Sequence, residues 1–257
     1  MTITIAVAGK GGTGKTTFAG LLIRHLVQSH TGRVLAIDAD PSSNLHLVLG
    51  LPLPQTVGSL REEARAGVPA GMSRQEWLDY AVRLSVEEGA DFDFLAMGRP
   101  EGQGCYCAAN QMLRTIMDQI CSTYDYVVMD NEAGMEHLSR RTTRDVDHLL
   151  LISDGSLRGQ VAAGEALALS TTLNIHVRHT YLVVNRVVGD LPAAFRTKIT
   201  EMDVPLLAVA PYDPQLVEFD GNGRPLVELP RNIPISQVVE QVAGQLLGQP
   251  HPCPDPA

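Results

Sequence analysis

No apolar run in this chain of 257 residues reaches the roughly 20 residues that a membrane-spanning helix needs. The first residues, Met1-Thr-Ile-Thr-Ile-Ala-Val-Ala8, lack the basic start and cleavage site of a signal peptide and read as a buried strand. Basic charge is in deficit: 20 Lys and Arg stand against 29 Asp and Glu, for a formal charge of -9. No basic stripe of the kind nucleic-acid binders carry is visible, nor a Lys/Arg cluster for an anionic membrane surface. Neither nucleic acid nor membrane is therefore an expected partner. Cysteine is sparse too. The four residues Cys105, Cys107, Cys121 and Cys253 do not look like a disulfide framework. The reducing cytoplasm is the expected compartment. There is no obvious internal repeat.

What the chain does have is a rhythm. Hydrophobic residues make up 44 % of it, enough for a sizeable core. Apolar strand candidates fall at 2–8, 33–38, 92–97, 125–130, 147–153, 178–184 and 206–210. Several are continuously apolar, as strands covered on both faces are. Helical patterns lie between or after them at 15–30, 106–122, 135–144, 157–173, 190–201 and 234–247. The alternation predicts an α/β fold with a doubly wound, mostly parallel sheet flanked by helices. A single domain over 1–248 is expected, with a Pro-rich and disordered tail at 249–257. Residues 51–90 break the rhythm with Leu-Pro-Leu-Pro, Gly-Val-Pro-Ala-Gly and the only tryptophan, Trp77. They read as an insertion, either a partner surface or a solvated excursion.

The first strand runs straight into Gly9-Lys10-Gly11-Gly12-Thr13-Gly14-Lys15-Thr16-Thr17. This is G-x-x-x-x-G-K-[ST] between a strand and a helix, the context the motif requires. Glycines let the backbone curl until its N–H groups face phosphate oxygens, and the following helix adds its positive N-terminal end. Lys15 is expected on the β- and γ-phosphates of ATP, Thr16 on Mg²⁺ and Thr17 on the α-phosphate. Strand 33–38 ends in Asp38-Ala39-Asp40-Pro41, and strand 125–130 ends in Asp130, followed by Asn131-Glu-Ala-Gly134. Carboxylates just past the C-terminal ends of strands sit where open α/β sheets bind ligands. Asp130 has the layout of a carboxylate positioned for Mg²⁺. Asp40 also fits an Asx turn ahead of a helix at 42–49.

Lys10 makes the loop a Lys-Gly-Gly-x-Gly-Lys-Thr variant. This resembles the deviant phosphate loop of the MinD, ParA and nitrogenase iron-protein class. The resemblance implies a homodimer that sandwiches ATP, with Lys10 reaching the partner's nucleotide. A cation supplied in trans stabilises the transferring phosphoryl group as an arginine finger does. It also implies that Asp40 orients the attacking water, that Asp38 lies near the Mg²⁺ shell and that Gly134 is a hinge sensing the γ-phosphate. Asn185 and Arg186, and Pro211-Tyr212-Asp213, stand where that class contacts adenine and ribose.

Gly104-Cys105-Tyr106-Cys107 precedes a helical pattern. Two thiolates at this spacing are half of a tetrahedral S₄ site for a soft ion. A symmetric dimer repeats any residue near its axis and can complete the set. Two buried or reactive thiols are the plainer reading. Together with Asp-Ala-Asp-Pro (38–41) and Met-Asp-Asn-Glu-Ala-Gly-Met-Glu-His-Leu (129–138), the chain resembles the CooC family, the nickel-inserting ATPases of carbon monoxide dehydrogenase maturation. The resemblance covers nearly the whole chain. It implies ATP-driven dimerisation, nickel or zinc on Cys105 and Cys107, and carbon monoxide dehydrogenase apo-enzyme as the client. Asn131 departs from the family by replacing an apolar residue. His137, a lone His in a helical pattern, reads as structural, with a metal ligand or a switch hydrogen-bonder as the alternatives; Cys121 reads as core, and His251 and Cys253 sit in the tail. Three alternatives stay open: an iron–sulfur reductase, a MinD- or ParA-like positioning ATPase, and maturation of acetyl-CoA synthase or another nickel enzyme.

Overall fold

The computed structural model describes residues 2–29, 32–89, 91–99, 115–131, 145–172 and 176–248. Strand β1 (Ile3–Ala8) lies at the centre of the sheet and pairs in parallel with β5 (Tyr126–Asp130) and β6 (Asp145–Asp154). Beyond β5 follow β2 (Val34–Asp38), β4 (Asp93–Ala96) and the two-residue edge β3 (Glu87–Glu88), the one antiparallel strand among the described residues. Beyond β6 follow β7 (His176–Val187) and β8 (Leu206–Pro211). The order is β3-β4-β2-β5-β1-β6-β7-β8. This is the doubly wound sheet the apolar runs predict.

Continuous apolar strands follow from burial on both sides. Alternate side chains of β1 and β2 point to opposite faces. Ile5, Val7, Val34 and Ala36 pack with helices α1 (Lys15–Gln28) and α8 (Pro234–Leu247). Ala6, Ala8, Leu35 and Ile37 pack on the other side with α5 (Leu157–Thr172) and α6 (Ala193–Glu201). Each fully buried Leu or Ile removes enough apolar area from water to contribute about 1.5–3 kcal/mol.

The solvated-excursion reading of 51–90 does not hold. After the short α2 (Leu45–Leu49), helices α3 (Val57–Ala66) and α4 (Arg74–Leu84) bury Val57, Leu60, Leu78 and Val82 in the core beside β2 and β4. Thr56 caps α3 by accepting from Ser59 N, and Ser73 and Glu76 form a reciprocal capping box on α4. The same core takes Ile116, Met117 and Ile120 from the helical residues 115–121. Of the helical pattern at 106–122, only this part lies within the described residues. The pattern at 135–144, with Gly134 and His137, lies outside them, as do Cys105, Cys107, His251 and Cys253. Cys121 packs against the core, and burial pushes its thiol up to about 12. Two more elements follow β8: α7 (Pro214–Gly221) and a 3₁₀ turn at Leu226–Glu228.

Candidate nucleotide site

The loop after β1 is bound tightly at its root. Gly9 has φ +145, and a Cβ there would run into the backbone oxygen of Ile152 on β6. No side chain fits between the loop and the neighbouring strand. Gly12 (φ +82) and Gly14 (φ +90) take left-handed conformations that other residues rarely adopt. Gly14 is also the N-cap of α1 and makes no side-chain cap, so the first-turn amides of α1 are left for an external acceptor. That arrangement is a phosphate cradle.

Inside the loop, Thr13 Oγ1 donates to Lys10 O at 2.8 Å and Lys15 Nζ donates to the same oxygen at 3.3 Å. Lys15 is 7 % exposed, its ammonium held within the loop. Lys10 is only partly buried, and its ammonium has no hydrogen bond or ion pair among the described residues. The two lysines thus differ as their expected roles differ: Lys15 turns into its own loop, while Lys10 remains available to another molecule. Gly11 lies open, with nothing near the position of a Cβ. Thr17 is the third residue of α1 and partly buried.

The carboxylates converge from two paired strands. Asp38 and Asp130 are register partners at the ends of β2 and β5. Both are buried, at 0 % and 1 % exposure. The Thr16 hydroxyl lies on the Asp130 side and favours its carboxylate, while Asp130 Oδ1 has no partner among the described residues. A buried carboxylate oxygen without a donor is an acceptor awaiting one, and a water on a Thr16-held Mg²⁺ suits it. Asp38 is committed differently. Its oxygens accept from Asp40 N at 3.1 Å and Leu45 N at 2.8 Å, fixing the turn ahead of α2. Asp40 Oδ1 accepts from Ser42 N at 2.8 Å, so the Asx turn is real, and the side chain stays partly exposed on the ligand side. No cluster of three or more His, Cys, Asp or Glu arranged to hold a metal occurs among the described residues. A Mg²⁺ that keeps its waters and phosphate oxygens does not need one.

Burial raises the Asp130 carboxyl to about 7, with Asp38 and Asp40 adding to the rise and the Thr16 hydroxyl and Lys15 opposing it. Burial likewise raises Asp38 to about 6, against the backbone donors. An acid whose folded pKa lies above its unfolded value binds more protons when folded. Stability must then fall as pH rises from about 4 towards 7. The expected result is a melting temperature of nucleotide-free protein that drops over that window by more than in Asp130→Asn. Equal pH profiles for the two proteins in differential scanning calorimetry would show that Asp130 is ionised throughout.

The base-side residues pack against the phosphate loop itself. β7 runs through Asn185 and Arg186 to Val187 instead of ending before them. Asn185 Nδ2 donates to Thr13 O at 2.9 Å, and Asn185 Oδ1 accepts from Arg186 N at 2.9 Å. Arg186 has φ 58, and its Nη1 donates to Gly12 O at 2.6 Å. The pair straps the phosphate loop from behind, and the amide of Asn185 is already engaged. Pro211 ends β8, Tyr212 is 47 % exposed, and Asp213 caps α7 by accepting from Gln215 N at 3.0 Å. The second oxygen of Asp213 is buried without a partner among the described residues.

Two residues of this region escape the sequence reading. Asn131 is buried, and its Nδ2 donates to Val7 O at 3.0 Å and Met129 O at 3.2 Å, joining the ends of β1 and β5 ahead of the loop. Asp154 ends β6 opposite Asn185 and accepts from Ser156 N at 3.0 Å. Its signal was present as a carboxylate closing an apolar strand.

Residues 4–226 match the CobQ/CobB/MinD/ParA nucleotide binding domain. The chain belongs to this family. An uncharacterised ATP-binding protein of Methanocaldococcus jannaschii is 40 % identical over 250 residues, covering 95 % of this chain and 98 % of its own. The carbon monoxide dehydrogenase accessory protein CooC of Rhodospirillum rubrum is 30 % identical over 236 residues, covering 85 % and 87 %. Among solved structures, the MinD cell division protein of Aquifex aeolicus superposes with a TM-score of 0.70 at 21 % identity, covering 98 % and 99 %. Its likeness shows the family's fold. No helix among the described residues is long and apolar enough to cross a membrane.

Proposed function

We propose that the chain is an ATP-dependent metallochaperone. ATP closes a homodimer, the dimer carries nickel or zinc on Cys105 and Cys107 of both chains, and the cargo goes to carbon monoxide dehydrogenase apo-enzyme. The observation carrying this reading is Gly-Cys-Tyr-Cys (104–107) in a family member 30 % identical to a carbon monoxide dehydrogenase accessory protein. ATP with Mg²⁺ suits the loop, and a solved MinD of Pyrococcus horikoshii at 21 % identity holds Mg-ADP. Thr16 and Asp130 would hold Mg²⁺, which would supply positive charge to neutralise the phosphates. Lys15 and the amides of the loop hold those phosphates, and Thr16 and Asp130 orient the ion's shell. Asp40 aligns the attacking water. The helical residues 115–121 run from the cysteine segment into β5, which ends in Asp130, so one stretch of chain links cargo and nucleotide.

The direct test adds purified protein, nickel and ATP to nickel-deficient carbon monoxide dehydrogenase. Activation that needs all three is expected. Activation equal to that by nickel alone would remove the client. Asp40→Ala should still bind ATP and should accumulate as an ATP-bound dimer, because only water alignment is lost. Unimpaired phosphate release by this variant would place the water elsewhere.

A second reading is a positioning ATPase. It is favoured by 24 % identity to the septum site-determining protein MinD of Synechocystis over 97 % of this chain. Attachment through a C-terminal amphipathic helix is not favoured by α8. That helix has no Lys or Arg, and its apolar face, with Ile235, Val239, Val242 and Leu246, is buried against α1. ATP-dependent sedimentation with anionic liposomes or with DNA would favour the positioning role.

A further inference from the structure

Far along α1 from the phosphate loop lies a cavity of about 110 Å³ between α1 and the start of α8. Arg24, His25, Arg231, Ser236 and Glu240 line it. Arg24 is 7 % exposed, yet no carboxylate among the described residues pairs with it. Its Nη1 donates to Leu229 O at 2.6 Å and its Nη2 to Ser236 Oγ at 2.8 Å, both neutral acceptors. Its Nε is buried and has no partner. Burial, and then the nearby Arg231 guanidinium, both disfavour the charge on Arg24. Arg231 itself is exposed and makes no ion pair among the described residues. A buried guanidinium facing a second one is unfavourable unless an anion compensates it.

The start of α8 adds to the same field. Its N-cap, Ile233, offers no side-chain cap, and Pro234 is the first residue of the helix, so the first-turn amides are uncapped. Ser236 sits in that first turn and lines the cavity. Glu240 opposes an anion and is the one carboxylate at the cavity. The volume would hold three or four waters at about 30 Å³ each, which also suits a single tetrahedral oxyanion.

We propose that this cavity is a binding site for a small tetrahedral oxyanion, phosphate or a compact phosphomonoester, held by Arg24, Arg231 and the start of α8. The site is separate from the nucleotide loop and clamps α8 onto α1. The exposed Arg231 guanidinium supplies charge-assisted donors, and the anion offsets the positive charge that Arg24 carries at the cavity wall.

The test is isothermal titration of the full chain, with the phosphate loop filled by a non-hydrolysable ATP analogue and Mg²⁺. Inorganic phosphate and methyl phosphate are titrated separately at matched ionic strength. Saturable binding is expected, and the tighter of the two probes identifies the source. Arg231→Ala lies on the surface and should fold normally. It should weaken binding about tenfold or more. Glu240→Gln should tighten binding a few-fold, a change no merely structural role would produce. Thermal stabilisation by phosphate should appear in the parent and vanish in Arg231→Ala. Absence of saturable binding of either probe overturns the proposal. So does binding that is the same in the parent and Arg231→Ala, which would place the anion on a surface other than this cavity.

Discussion

Lys10→Ala is expected to bind ATP and yet hydrolyse it about 10³-fold or more slowly, the loss seen when a trans-acting cation is removed from a phosphoryl-transfer site. The geometry separates the two lysines. Lys15 is buried and turned into its own loop, so phosphate binding survives without Lys10. Lys10 is only partly buried and has no partner among the described residues, so its removal leaves no buried acceptor behind there and should not lower stability. Dimerisation on ATP should fail together with hydrolysis, because the same ammonium serves both. Light scattering with a non-hydrolysable ATP analogue, beside a phosphate-release assay, reads the two effects separately. A variant that stays monomeric yet turns over at the parent rate would show that catalysis is complete within one chain.

The Cys105→Ala/Cys107→Ala double variant is expected to lose bound metal altogether while still binding ATP. One chain supplies two thiolates, and a soft divalent ion wants four ligands, so the stoichiometry should be one metal per dimer. Zinc favours a tetrahedral set and nickel(II) can take a square-planar one. Metal–sulfur bonds of about 2.3 Å hold two chains without nucleotide, so nickel alone should promote dimers of the parent and not of the variant. Reciprocity then requires the nucleotide state to change metal affinity by the factor by which metal changes nucleotide affinity. Equilibrium dialysis with nickel at neutral pH decides the matter. Equal uptake by parent and variant would leave an ATPase of this family with no cargo role.

The sheet and the phosphate loop were legible because their signals are local. A strand buried on both faces must be apolar over most of its length, and β1, β2 and β5 are, apart from Thr4 and the closing Asp38 and Asp130. The loop's glycines, lysines and threonine specify one backbone path within a few residues. Where the sequence stays silent, the deciding contact lies far away along the chain. Asn185 and Arg186 look like turn residues after a strand, but Thr13 O and Gly12 O, more than a hundred residues earlier, take their donors. Nothing local marks Arg186 as left-handed. The burial of α3 and α4 was hidden by the intervening Gly-Val-Pro-Ala-Gly, which interrupts the periodicity that Leu60, Leu78 and Val82 would otherwise show. The capping box at Ser73 and Glu76, and Asp213-Pro214 at the start of α7, are local helix-start signals that the sequence analysis passed over.

The first strand made is also the one that must wait longest. β1 pairs on one side with Tyr126–Asp130 and on the other with His148–Leu151. At about 5–20 residues per second, the ribosome needs on the order of ten seconds to deliver the first of those partners. Until then Ile3–Ala8 is an unpaired apolar ribbon with both faces bare, and Gly9 lacks the Ile152 backbone against which it is seated. A nascent chain that stops short of β6 therefore has the phosphate motif but no cradle, and ATP cannot reward its early folding. Nucleotide acts as a ligand of the finished sheet, and the long wait is when this protein most needs a holdase chaperone.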